Sequence, residues 1–226
     1  MRFSIGFALP VLFGTVMMAG PARSQEFAVN GDFEAVQIVS PFFSSNPANV
    51  PSWTHTGTVG DALIWGVGYV DGGGSITTAG SGNQFVTMGG GSTAPGSGQW
   101  SQTLVGLSPG SVYNLKFKMA SETSNLAQQM TVDFTSGSST GAQIFSAANS
   151  PANYWRGWES KSMQFVTTGS SVGLRFSATT GQDVGLDSVS VQAAATPEPG
   201  SVALLTGLGL SGAVFIKRRR KQAPRL

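Results

Sequence analysis

The sequence predicts an all-β sandwich over residues 25–192, and three observations carry that expectation. Only 11% of the 226 residues are charged, while glycine alone fills 31 positions. Short apolar runs recur with a period of two, the signature of strands with one buried face. Clusters of Gly, Ser, Pro and Asp separate those runs and supply the turns between them. About eight strands of this length suit two packed sheets.

Taken in order, the first strong alternation is Leu63, Trp65, Val67 and Tyr69, interleaved with Gly66 and Gly68. The turn signal Asp71-Gly72-Gly73-Gly74 follows it. Asn83–Met88 is a weaker strand candidate that ends at Gly89-Gly90-Gly91, and Gln99–Val105 is another. Ser108-Pro109-Gly110 then leads into Ser111–Ala120, where Tyr113, Leu115, Phe117 and Met119 share one face. Asn114, Lys116 and Lys118 take the other. Met130, Val132 and Phe134 alternate with Thr131, Asp133 and Thr135 up to Ser136-Gly137. Lys161–Thr167 is a further weaker candidate. Val172, Leu174 and Phe176 alternate with Gly173 and Arg175, closing at Thr180-Gly181, and Gly185–Gln192 supplies the last strand. A helical period is found only at the two ends of the chain.

Those ends read as export signals. Arg2 precedes an apolar stretch from Ile5 to Met18, and Ala22-Arg23-Ser24 places small residues at −3 and −1 of a cleavage site. Residues 1–24 are therefore expected to be a signal peptide, with the mature chain starting at Gln25. At the other end, residues 193–200 form a linker containing Pro197, Glu198 and Pro199. Residues 201–216 are uncharged and just long enough to cross most of a hydrocarbon core. Residues 217–226 open with Lys217, Arg218, Arg219, Arg220 and Lys221, which the positive-inside rule keeps in the cytoplasm.

A leader, a Pro-Glu-Pro motif, a short membrane stretch and a basic tail, in that order, resemble a PEP-CTERM protein. The resemblance implies processing by an exosortase near Pro197–Pro199 in a Gram-negative bacterium. The precursor would sit transiently in the inner membrane through its C-terminal helix. The product would be released to the cell surface or extracellular matrix, with the hydrophobic tail serving as an address. The alternative is an ordinary single-pass anchor that stays in place.

With these segments set aside, the charge balance changes sign. Of 13 Lys and Arg, two lie in residues 1–24 and six in the tail, leaving five; of 11 acids only Glu198 lies beyond residue 196. Residues 25–196 thus carry a net charge of about −5. The basic character of the whole chain comes from its sorting signals, and a nucleic-acid role, which needs a basic face, loses its support. Cysteine is absent, so an exported domain must rely on its packed core.

The middle of the chain resembles a second group. Asn30-Gly31-Asp32-Phe33-Glu34 is followed by Pro51-Ser52-Trp53-Thr54 and by Gln99-Trp100-Ser101-Gln102-Thr103-Leu104. Leu107-Ser108-Pro109-Gly110, Tyr113–Phe117 and Gly185-Leu186-Asp187-Ser188-Val189 complete the order. This is similar to the galactose-binding-like jelly rolls of the DUF642 and choice-of-anchor C type, relatives of several carbohydrate-binding modules. The resemblance implies a jelly-roll β-sandwich. Many members carry Asp-Asp or Asp-Asn before the final Val, where this chain has Ser188.

By alternation, Asp187 shares a face with Val189 and Val191 and is expected on the core side, where a carboxylate needs compensation. In related jelly rolls the first-strand segment and the last-strand Asp meet around a structural calcium. Carried over, Asp32 or Glu34 together with Asp187 would be side-chain ligands, assisted by backbone oxygens near Asn30. Alternatively Asp187 pairs with Arg175 or caps a turn. Tyr154, Trp155 and Arg156 sit in an expected loop and are candidates for stacking on a sugar and bonding its hydroxyls. Trp53, Trp65, Trp100 and Trp158 are expected in the core.

Catalysis has little support. His55 is the only histidine and lies between threonines, a surface or turn position. A thiol nucleophile is impossible, and the Gly-x-Ser-x-Gly spacings at Gly106–Gly110, Gly137–Gly141 and Gly169–Gly173 are followed by no helical period, which a nucleophile elbow needs. Asp61 with Asp71, or Glu122 with Asp133, could form a carboxylate pair, but no spacing singles them out. The expectation is a non-catalytic carbohydrate-binding module associating with exopolysaccharide or another glycan. A structural or adhesive matrix protein is the alternative and a polysaccharide hydrolase the third.

Overall fold

The computed structural model describes residues 24–38, 43–44, 46, 49–57, 63–71, 74–89, 98–122, 128–148, 155–179 and 183–195. The leader up to Arg23, the Pro-Glu-Pro motif, the apolar stretch and the basic tail lie outside the described residues, as do Asp61 and Tyr154.

Thirteen strands occur among the described residues: β1 (Phe43–Ser44), β2 (Thr54–Thr56), β3 (Ile64–Gly66), β4 (Val70–Asp71), β5 (Gly74–Ser75), β6 (Gln84–Met88), β7 (Gln99–Val105), β8 (Val112–Ser121), β9 (Gln128–Ser136), β10 (Gln143–Ala147), β11 (Glu159–Val166), β12 (Ser171–Ala178) and β13 (Val184–Ala193). They form a larger six-stranded sheet, β1-β3-β6-β13-β8-β11, and a smaller five-stranded sheet, β10-β9-β12-β7-β2. A two-stranded ribbon pairs β4 with β5, so that Asp71 and Gly74, the ends of the expected turn signal, lie opposite each other; Gly72 and Gly73 lie outside the described residues. Every strand pairing is antiparallel.

The core lies between the sheets and is built from the rows that the alternation marks. Tyr113, Leu115, Phe117 and Met119 of β8 are buried, as are Val172, Leu174 and Phe176 of β12. Rings from the two sheets meet across the gap. Phe117 lies 5.4 Å from Phe176 and 5.1 Å from Phe145, and Phe134 lies 4.7 Å from Phe165. Burying each large apolar side chain is worth about 2 kcal/mol relative to leaving it in water. Trp53 and Trp100 join this core as expected.

The larger sheet also buries part of its outer face. Leu63, Trp65, Val67 and Tyr69 do form a common row, but it packs in a second cluster with Ile76, Phe85, Ala120, Trp155 and Trp158. The alternation identifies the row without saying which side of the sheet it covers. For the same reason β6, whose neighbours cover both faces, is buried at all five positions. The short strands β1, β2, β4, β5 and β10 carry too few alternating residues to announce themselves.

The expectation for Asp187 needs correction. It pairs with Lys118, while Leu186 pairs with the buried Met119, so Asp187 belongs to the outer row of the larger sheet. The register then shifts between Asp187 and Ser190, and Ser188 adopts φ 54°. This β-bulge inserts a residue and returns Val189 and Val191 to the core side. Simple alternation therefore places Asp187 on the wrong face.

Candidate functional site

Asp187 points away from the main core yet is completely buried, because the 79–82 segment folds over it. Its Oδ2 accepts a hydrogen bond from the Ser81 amide at 2.6 Å. Its Oδ1 accepts from the Ser188 amide at 2.5 Å and from the Ser81 hydroxyl at 3.3 Å. A Cβ on Gly80 would stand 2.8 Å from Asp187 Cβ, so only glycine lets this segment close over the carboxylate. Burial pushes the Asp187 carboxyl up to about 7, opposed by the hydrogen bonds from Ser81 and Ser188; the nearby Glu34 charge raises it further.

Glu34 caps the other end of the same segment. Its Oε1 accepts from the Asn83 and Gln84 amides at 2.6 and 2.8 Å. Its Oε2 is buried and has no hydrogen-bond partner among the described residues. Two carboxylates that cap the same 80–84 segment, one with an orphaned oxygen, suit a hard cation that takes oxygen ligands.

Asp32 and Asn30 are engaged differently. Asp32 is exposed and its Oδ1 accepts from the Glu34 amide at 3.4 Å. Asn30 Oδ1 accepts from the Ala35 amide at 2.9 Å, and its carbonyl accepts from Trp53 Nε1 at 3.0 Å and from the Phe33 amide at 3.2 Å. No group of three or more acidic, His or Cys side chains converges among the described residues. Of the four residues expected around a metal, the fold thus brings Glu34 and Asp187 together. Arg175, the other expected partner of Asp187, instead pairs with Asp133 on the smaller sheet.

The Asn30-Gly31 motif has its own structural cause. Asn30 sits at φ 51°, a left-handed conformation that asparagine tolerates better than most residues. The Gly31 carbonyl accepts from the Val189 amide at 2.8 Å, and a Cβ on Gly31 would lie 1.9 Å from the Val189 carbonyl oxygen. The first segment thus docks directly on the bulge that reorients Asp187.

The aromatic candidates fare differently from the expectation. Trp155 is only 1% exposed, with its ring 5.1 Å from Trp65 and 5.4 Å from Phe85. A ring enclosed on this scale has no free face for a sugar, and exposure of Trp155 is corrected to burial in the outer cluster. Trp158 is partly buried against Phe85 and donates from Nε1 to the Thr78 carbonyl at 3.3 Å. Arg156 is exposed, and its Nη2 donates to the Ser75 carbonyl at 3.4 Å. His55 is half-buried in β2, its ring 5.3 Å from Trp100.

Beside the buried carboxylates the outer face of the larger sheet opens into two clefts. One of about 410 Å3 is lined by Lys116, Lys118, Ser160, Ser162, Ser188 and Ser190. Phe117 and Lys161 also border it, but they pair with each other across β8 and β11 in the row that faces the other way. The second, about 360 Å3, shares Ser188 and Ser190 and adds Glu26, Asn30, Asp32 and Ser81. Glu26 is fully engaged there: its carboxylate accepts from the Ala28 and Val191 amides and from the Ser190 hydroxyl, at 3.1, 2.6 and 2.6 Å. Sequence reasoning placed Lys116 and Lys118 on the exposed row but attached no role to them. The serines on β11 and β13 gave no local signal because their convergence depends on β8 lying between those strands.

The domain is an antiparallel β-sandwich with open polar clefts on one sheet, and comparison with known proteins gives the family. Residues 26–189 match DUF642, described as a protein of unknown function, and the chain belongs to that family. No curated protein matches it. Among solved structures, a module described as "CBM4 structure and function" is 17% identical, with 74% of this chain and 99% of that chain covered at a TM-score of 0.44. TmCBM61, solved in complex with beta-1,4-galactotriose, is 13% identical over 76% of this chain and 100% of that chain, with a TM-score of 0.47. The CBM22-1 xylan-binding domain of Paenibacillus barcinonensis Xyn10C is 16% identical over 65% and 88%, with a TM-score of 0.40.

Proposed function

We propose that this chain is an exported, non-catalytic carbohydrate-binding domain that associates with exopolysaccharide at the cell surface. The observation that carries this reading is the open cleft of about 410 Å3 walled by four serines and two lysines. Hydroxyl and ammonium groups on a rigid sheet bond sugar hydroxyls without reorganisation, and an open trough accepts a chain from either end. Its delivery follows from the Pro197-Glu198-Pro199 motif, the apolar stretch and the basic cluster, read together as an exosortase-processed PEP-CTERM signal. Calcium is held, in this reading, by Glu34 and Asp187. When bound it supplies positive charge to the buried Asp187 carboxylate and to the buried Oε2 of Glu34.

A glycan array probed with the purified protein tests the binding reading: saturable, competable binding to at least one polysaccharide is expected. Its absence across the array sinks that reading and leaves a structural or adhesive matrix protein. Mass spectrometry of the protein recovered from a host encoding an exosortase tests the sorting reading. A C-terminus near Pro197–Pro199 is expected, and an intact C-terminus at Leu226 contradicts it.

A further inference from the structure

We infer that the cleft over β8, β11 and β13 takes an anionic polysaccharide, its acidic groups seated against Lys116 and Lys118. This rests on the carbohydrate-binding reading and narrows it to a class of glycan. The residue-25–196 region has five cations, Lys116, Lys118, Arg156, Lys161 and Arg175. Two of these are ion-paired, one on the opposite sheet and one at the border of the cleft. Arg175 pairs with Asp133 on the smaller sheet, and Lys161 holds Glu159 at 2.6 Å. Lys116 forms no hydrogen bond or ion pair among the described residues, while Lys118 donates to the Gly80 carbonyl beside Asp187, its cross-strand partner.

Glu26, Asp32 and Asp187, the carboxylates nearest the cleft, are each held by neutral donors outside it. Glu26 is tied to the β13 backbone and the Ser190 hydroxyl, and Asp187 lies under the 79–82 segment. No acidic side chain lines the cleft itself. A domain carrying about −5 overall repels polyanions in general, and the lysines of this cleft offset that repulsion locally.

The spacing suits a polymer. Lys116 and Lys118 stand two residues apart on one strand, about 7 Å, on the scale of neighbouring sugar residues in a chain. Ser162 pairs with Lys116 and Ser160 with Lys118 across β11, while Ser190 pairs with Lys116 across β13. Ser160 and Ser162 thus place a hydroxyl beside each lysine that can bond the sugar it holds, while the Ser190 hydroxyl already donates to Glu26. No aromatic side chain is directed into this cleft, so affinity must come from charge and hydrogen bonds and must weaken with salt.

The test compares polygalacturonate, dextran sulfate and a neutral galactan as ligands in affinity electrophoresis and titration calorimetry. Lys116→Gln is the site variant, and Arg175→Gln applies the same charge change on the opposite sheet. Tighter binding of at least one anionic polymer than of galactan is expected. That binding should fall about fivefold in Lys116→Gln, fall further in high salt and hold in Arg175→Gln. Binding of polygalacturonate assigns the acidic group as a carboxylate; binding of dextran sulfate alone assigns it as a sulfate. Galactan binding as tightly as the polyanions, or Lys116→Gln leaving anion binding intact, overturns the inference while the carbohydrate reading stands. Failure of all three polymers overturns the inference, and the glycan array decides the broader reading separately.

Discussion

The buried Asp187 makes the stability of this domain depend on pH in a direction opposite to that of an ordinary paired carboxylate. Its pKa is raised from 3.8 to about 7, so the folded state holds a proton that the unfolded chain releases at lower pH. Stability from this group is therefore complete below about pH 4 and is lost as pH rises through 7. The full span corresponds to about 4 kcal/mol, of which about 3 kcal/mol falls between pH 5 and pH 8. Asp187→Asn removes the titration. It also leaves one of the Ser81 and Ser188 amides without an acceptor, a pH-independent cost of about 1–3 kcal/mol. Urea unfolding in EDTA at pH 5, 6, 7 and 8 measures both effects. The parent protein should lose stability with rising pH relative to Asp187→Asn, and the two curves should cross at or below about pH 6. Millimolar calcium should reverse the trend, stabilising the parent more at pH 8 than at pH 5, because the metal needs the ionised carboxylate. Parallel pH profiles for parent and variant would refute the burial argument. A calcium response that persists unchanged in Asp187→Asn would refute its assignment as a ligand.

Two further substitutions test the packing that positions the site. Trp155→Ala empties the outer cluster and should cost about 3–5 kcal/mol in urea unfolding; a loss below about 1 kcal/mol is what an exposed ring would give. Gly31→Ala drives a methyl group into the Val189 carbonyl, so it should destabilise the domain and loosen the bulge, read as faster amide exchange at Val189. Unchanged exchange there would mean that the first segment does not dock on β13.

How much of this was legible in the sequence differs by residue. The rows through Tyr113–Met119 and Val172–Phe176 are long, regular and buried on one face, so alternation alone locates them in the core. Trp65 and Tyr69 show the limit of the same signal: period two groups them but cannot choose between the two faces of a sheet. Asp187 was misplaced because a single left-handed residue, Ser188, breaks the period, and that bulge is held by a contact with Gly31 far away in the chain. Trp155 was misplaced because its burial depends on rings from β3 and β6 that no local pattern announces. The pairing of Glu34 with Asp187 was anticipated only through family resemblance. Their common contact with the 80–84 segment is a property of the assembled fold.

The most direct measurement is amide chemical-shift mapping of the isotopically labelled protein titrated with trigalacturonate. Shifts should concentrate at Lys116, Lys118, Ser160, Ser162, Ser188 and Ser190, on the outer face of the larger sheet. Shifts confined to Thr103, Thr131 and Arg175, on the opposite sheet, would contradict the account.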